Sequence, residues 1–185
     1  MTTRIEKDFY FQTGVHFENK FYVNSYDVTL SLLVETDSIR EQNVAMDRAT
    51  HFLTSVLQNS LLINSKETEA IEKYKNAGLK ICILPEDPYD QILSMVLLQK
   101  LNAVMEGRLR ITDLVIGSTL SEGVRFTMVS EVAENVLDGN YWWNKPTICL
   151  NNEEACPTNK TNIVKLFDDS HWVDLGLSWK EKGKK

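Results

Sequence analysis

The hydrophobic and polar positions of this chain change period in a fixed order. Two runs of strand character come first, then two long runs of helical character, then two more strand runs, all between Asp8 and Ser130. Phe9 to Phe17 is rich in aromatic residues and valine, which predicts a strand, and Gly14 inside it predicts a bulge or bend. Tyr26, Val28, Leu30, Leu32 and Val34 alternate with Asp27, Thr29, Ser31, Leu33 and Glu35. A period of two puts one face of that strand in the core. The link Glu18-Asn19-Lys20 is short and polar, so the two runs predict an antiparallel hairpin.

Ala45, Ala49, Phe52, Leu53, Val56 and Leu57 recur at helical spacing after a predicted cap at Asn43, and the pattern breaks at Asn59-Ser60. Glu67 to Asn76 predicts a short helix ended by Gly78, and Leu79 to Leu84 a small strand. Asp87 as N-cap with Pro88 at the first helical position opens a second long helix. Its apolar stripe, Ile92, Leu93, Val96, Leu97, Leu101 and Val104, is wide enough to press on a sheet, and Gly107 closes it. Leu109 to Ile116 predicts a third long strand with a phase shift, hence a bulge, at Thr112-Asp113. Val124, Phe126 and Met128 alternate with polar neighbours as a fourth.

Beyond Ser130 the pattern turns irregular, with Tyr141-Trp142-Trp143, Pro146 and Pro157. Short strands are expected at Thr147 to Leu150 and Asn162 to Phe167, with Trp172 and Trp179 stapling the arm to the body. The organisation expected is a domain over 1–130 and a Trp-rich extension over 131–185 packed on it. A hairpin, a helical pair and a second hairpin make an α+β unit, an antiparallel sheet with helices on one face. The edges of such a sheet need covering.

Composition narrows the partners. The 185 residues carry a formal net charge of −6, with 43% hydrophobic and 25% charged residues. That balance speaks against nucleic acid or an anionic membrane as the main partner. Three cysteines, Cys82, Cys149 and Cys156, are widely spaced without a CxxC, so no disulfide framework is expected and a reducing, cytoplasmic setting fits. The N-terminus has no apolar signal core, and no apolar stretch is long enough to span a bilayer.

Short stretches of the chain match a known family. Phe11-Gln12-Thr13-Gly14-Val15-His16 resembles a first strand ending in a zinc histidine, and Tyr22-Val23-Asn24-Ser25-Tyr26 the start of a second strand that opens His-Gly-His-Asn-Tyr. Met46-Asp47, Gln58 to Asn64, and Asp87-Pro88-Tyr89-Asp90-Gln91 are similar to the helix beginnings and ends of the same group. From Phe9 to Met128 the chain resembles the 6-pyruvoyl-tetrahydropterin synthase and 6-carboxy-tetrahydropterin synthase family. The resemblance implies a T-fold, a ββααββ unit whose copies join edge to edge around a tunnel. It also implies a homo-oligomer with a pocket between subunits for a pterin- or purine-like heterocycle.

The working groups of that family are mostly replaced. Of its three zinc histidines the resemblance leaves only His16; Tyr22 and Asn24 stand where the others would be. One imidazole does not hold zinc, so no metal and no cofactor is expected. The Asp-His proton relay corresponds to Asn59-Ser60, and no cysteine lies near Glu18 to Tyr22, where the synthase keeps its thiol. The pterin-anchoring glutamate corresponds to Ser118-Thr119, and a hydroxyl does not replace a carboxylate fork. The implied protein is a zinc-free pseudoenzyme or binding protein, with Asn24, Asn59, Ser118, Thr119 and Glu122 as candidate ligand contacts. The alternative is a zinc-independent lyase or hydrolase on the same fold, using His16, Tyr22 and Glu122. Bland readings stand beside these. His16 is also explained as a strand histidine, His51 as the exposed partner of Asp47, and His171 as a packing residue. Cys82 reads as a small core residue, and Glu86, Asp87 and Asp90 as an acidic helix start.

Overall fold

The structure, a computed structural model, describes residues 3–130 and 140–151. Its elements are β1 (Arg4–Phe17), β2 (Lys20–Val34), α1 (Ile39–His51), β3 (Leu61–Asn64), α2 (Thr68–Asn76), β4 (Ile81–Leu84), α3 (Asp90–Met105), β5 (Leu109–Ser118) and β6 (Arg125–Val129). A π-helical turn, Phe52–Leu57, continues α1. The expected hairpins are both present, and β2 pairs β5 between them, so β1, β2, β5 and β6 form an antiparallel run. The sheet is nevertheless six-stranded and mixed, in the order β4-β3-β1-β2-β5-β6, because β3 and β4 add in parallel to the outer side of β1. The fold is α+β, with an insertion that a plain ββααββ order does not contain.

β3 was hidden in the sequence. Leu61-Leu62-Ile63 looks like the fraying end of a helix, yet it is fully buried on both faces between β1 and β4. Central parallel strands carry such continuous apolar runs. The β1–β2 turn is the two-residue kind, with Glu18 and Asn19 both at positive φ (50° and 59°), which matches the twist of the flanking strands. Gly14 makes no bulge: the ladder runs through it in register with Val23. A Cβ there would meet the Phe21 ring at 2.7 Å, so any larger residue requires that ring to move. The expected bulge at Thr112 is present, where Ser31 pairs Asp113 and Leu32 pairs Ile111.

Both long helices start elsewhere than expected. Ser38, not Asn43, caps α1; its hydroxyl accepts the Glu41 N–H. Tyr89, not Asp87, precedes α3. The Asp87 carboxylate instead accepts a hydrogen bond from Asn64 Nδ2 at 2.7 Å, tying the approach to α3 onto the end of β3.

The helices do not all lie on one face. Leu62, Cys82 and Leu84 join the main core with α1 and α3, whereas Ile63 and Ile81 form a second cluster with Ile71 of α2. Successive strand residues point to opposite faces, so α2 covers the reverse side of β3 and β4. The main core contains Phe9, Phe11, Val28, Leu30 and Leu32 from the hairpin and the stripe Leu93, Val96, Leu97, Leu101 and Val104 from α3.

Residues 140–151 dock on this core. Trp142 and Trp143, in a 3₁₀ turn, are buried in the main cluster. Lys100 of α3 is fully buried, and its ammonium donates to the carbonyls of Trp142 (2.9 Å), Lys145 (2.9 Å) and Thr147 (2.6 Å). The rings of Phe52 and Trp142 flank it at 5.7 and 5.4 Å. Arg48 of α1 adds a bond to the Pro146 carbonyl at 2.9 Å. Thr147 to Leu150 forms no strand. Strand-like bonding comes from side chains instead. Asn151 accepts the Ile83 N–H at 2.7 Å and donates to the Ile81 carbonyl, and Trp142 Nε1 donates to the Ile83 carbonyl at 3.0 Å. These bonds occupy the outer edge of β4, which otherwise offers a pairing surface. Cys156, His171, Trp172, Trp179 and the strand expected at Asn162 to Phe167 lie outside the described residues.

Candidate functional site

A cleft of about 480 Å³ opens on the helix-covered face, where the β1–β2 tip, the start of α3 and the β5–β6 turn meet. Its walls are mostly apolar and aromatic: Val15 and Phe17 from β1, Tyr22 from β2, Pro88 and Tyr89 before α3, and Leu120, Val124 and Phe126 around the turn. Phe17 and Tyr89 meet edge to face at 5.3 Å. The polar lining is Asn24, Asp90, Gln91 and Ser121. A few polar groups converging in an apolar hollow is the usual make-up of a small-molecule site.

Strand alternation selects these side chains. Tyr22 pairs Val15, Asn24 pairs Thr13 and Tyr26 pairs Phe11, so all six share the face that looks toward α3. The Asn24 side-chain oxygen accepts from the Thr119 hydroxyl at 2.8 Å and the Leu120 N–H at 3.1 Å. The Thr119 N–H donates to the Ser25 carbonyl at 3.0 Å. Asn24 thereby holds the β5–β6 turn over the cleft. Asn24→Ala removes the only acceptor shown for both groups and is expected to cost about 1–2 kcal/mol. Urea unfolding measures that loss, and amide exchange at Leu120 should rise with it.

Beneath the cleft lies a set of buried polar atoms that lack partners. The Thr13 and Tyr26 hydroxyls and Asp90 Oδ2 carry no hydrogen bond. Burial pushes the Tyr26 phenol above its ordinary range, although Asn24 lies beside it and opposes the shift. Burial likewise raises the Asp90 carboxyl; the Ser118 and Ser121 hydroxyls oppose this and the Asp27 charge adds to it. Asp90 is 8% exposed and stands in the first turn of α3, where the helix N-terminus favours a negative charge.

The candidate residues separate into two groups. Tyr22 and Asn24 line the cleft, and Ser118 and Thr119 begin the turn that closes it. His16 does not join them. It pairs Phe21 on the reverse face, buried, with its ring edge-on to Tyr74 of α2 at 5.6 Å. Asn59 is exposed at φ 59°, its N–H donating to the Gln12 carbonyl, and Glu122 is exposed at φ 51° in the β5–β6 turn. His16, Tyr22 and Asn24 therefore cannot act as one ligand set, because adjacent register positions of opposite parity point away from each other.

Asp90 and Ser121 are the functional candidates that sequence reasoning passed over. The signal for Asp90 was the stretch Asp87 to Gln91, whose acids a helix start explains without a site. No family model matches the sequence, and no curated protein matches it. Among solved structures, the chain is similar to an uncharacterized protein from Wolinella succinogenes, with a TM-score of 0.49 and 10% identity over 70% of this chain and 99% of that one. It is also similar to a catalytic-residue mutant of Plasmodium vivax 6-pyruvoyltetrahydropterin synthase, with a TM-score of 0.44 and 8% identity over 69% of this chain and 97% of that one. No described helix is long and apolar enough to cross a membrane.

Proposed function

We propose that this chain is a T-fold-like binding protein whose cleft holds a flat, pterin- or purine-sized heterocycle, and that it works without zinc. The observation that carries the reading is the cleft itself. An apolar hollow of about 480 Å³, walled by Phe17, Tyr22, Tyr89 and Phe126, matches a planar ring system, and Asn24, Asp90 and Ser121 supply polar groups to orient it. The resemblance of the β1–β2 hairpin to the pterin synthases points to the same ligand class, and the replaced histidines point away from their metal chemistry. The lyase or hydrolase alternative keeps only Tyr22 at the cleft, since His16 faces α2 and Glu122 faces solvent. Assembly of copies through sheet edges remains part of the proposal for β6, whereas the outer edge of β4 is taken by Asn151 and Trp142.

The test is calorimetric titration and thermal shift with adenine, guanine and a 2-amino-4-oxopteridine, alongside elemental analysis. Binding of at least one of these, weakened by Phe126→Ala, is the expected result. Stoichiometric zinc, together with turnover of a dihydroneopterin triphosphate-like substrate, would sink the zinc-free reading. Failure of every planar heterocycle to bind at millimolar concentration would sink the cleft as a ligand site.

A further inference from the structure

Ser118 and Thr119 stand where the sequence placed ligand contacts, yet neither is among the residues that line the cleft. Their bonds run inward. The Thr119 hydroxyl donates to the Asn24 side-chain oxygen at 2.8 Å and accepts the Ser25 N–H at 3.2 Å. The Ser118 hydroxyl accepts the Ser121 N–H at 3.2 Å, and the Ser121 hydroxyl accepts the Ser118 N–H at 3.1 Å. Both serine hydroxyls also bond the Asp90 carboxyl at the start of α3. A hydroxyl has one proton to give. That of Ser121 is shared with the carbonyls of Ser118 and Val124, each at 2.8 Å, so the Ser118 proton is the steadier tie to Asp90. The β5–β6 turn is thereby fastened on two sides, to β2 through Thr119 and to α3 through Ser118. What it carries is a wall of the cleft. Leu120 and Val124 line the hollow and are 49% and 54% exposed, so packing alone holds them loosely.

Resting on the binding role proposed above, we infer that Ser118 and Thr119 are positioning residues of the cleft. They lock the turn that holds Leu120 and Val124 against a ligand, and they do not touch the ligand themselves. Ser118 acts through Asp90 and Ser121, and Thr119 acts through Asn24. A wall fastened before binding need not be ordered by the ligand, which leaves more of the contact free energy for affinity. Releasing the wall has the reverse effect. Apparent affinity then falls with the fraction of molecules whose wall stands in place.

Amide exchange and calorimetry on the full chain test this with Ser118→Ala, Thr119→Val and the conservative Thr119→Ser. Protection of the Leu120 and Ser121 amides is expected to fall about five-fold in Ser118→Ala and in Thr119→Val, the scale of one net hydrogen bond. Amides in the middle of β2 should keep theirs, which separates local release from global unfolding. Thr119→Ser keeps the hydroxyl and should keep the protection. The double variant Ser118→Ala/Thr119→Val should bind adenine, guanine or 2-amino-4-oxopteridine at least about five-fold more weakly than the wild type. Unchanged protection in both single variants would overturn the lock. Lost protection with unchanged affinity, for a heterocycle that binds the wild type, would overturn the positioning role and leave the cleft reading intact. Lost affinity with unchanged protection would mean that Ser118 or Thr119 touches the ligand, and would overturn the inference as well. If no heterocycle binds the wild type, the binding reading and the positioning role fall together.

Discussion

Lys100→Met is expected to destabilise the protein by roughly 3 kcal/mol, the scale seen when buried polar groups lose a charged partner. The ammonium is the only donor shown for the carbonyls of Lys145 and Thr147 and shares that of Trp142 with the Lys145 N–H, and methionine fills its space without replacing any of its three bonds. The rings of Phe52 and Trp142 lose their cation as well. Urea unfolding measures the loss, and amide exchange over residues 141–151 should rise more than exchange in β2. Burial draws the Lys100 ammonium down to about 8 from 10.5. Between those values the unfolded chain binds a proton that the folded chain has released, so wild-type stability rises with pH across the window. Lys100→Met lacks that slope. An unchanged unfolding midpoint would show that residues 142–147 hold their place without the lysine.

Asp90→Asn is expected to act in the direction opposite to Lys100→Met. It should stabilise the free protein by roughly 1 kcal/mol, because it removes a buried charge that no cation balances. The pH dependence separates this from ordinary packing. The folded carboxyl titrates above its unfolded value, so its contribution to stability is complete below the ordinary carboxylate range. It is lost as pH rises through the raised folded value. The groups facing it are Ser118, Ser121 and Asp27, and it acts in turn on the Tyr26 phenol. Thermal melts from pH 4 upward should show this loss in the wild type and not in the variant. A variant less stable than the wild type would show that the Ser118 and Ser121 hydroxyls compensate the charge in the folded chain.

Much of the scaffold was legible along the chain because its signals are local. Alternation along β2 is set by which face is buried, and it announces itself without a partner. The phase shift at Thr112 revealed the bulge for the same reason. β3 left no such trace: it is four residues long and buried on both faces, so its apolar run carries no period. The caps failed because Asp87 and Asn43 have the right chemistry for a helix start, while Ser38 and the bond from Asn64 to Asp87 decided the actual geometry. The cleft was legible only in part. Tyr22 and Asn24 were found because they stand in a recognisable hairpin, and Asp90 was missed because an acid at a helix N-terminus needs no further explanation.

By itself, the sequence determined the two long hairpins, the long helices and the order in which they follow, since periodicity and turn chemistry act between near neighbours. Tertiary structure alone decided that β3 and β4 extend the sheet, that α2 takes the reverse face, and that His16 is parted from Tyr22 and Asn24. It also decided that Lys100 is a buried anchor and that Asp90 lies unpaired at a cleft. Burial and pairing of a charge depend on groups far away in the chain: Lys100 finds its carbonyls at residues 142–147. Asp90 meets the turn that follows β5. No local pattern encodes such meetings, and the desolvation that gives each charge its significance arises only when the chain has closed around it.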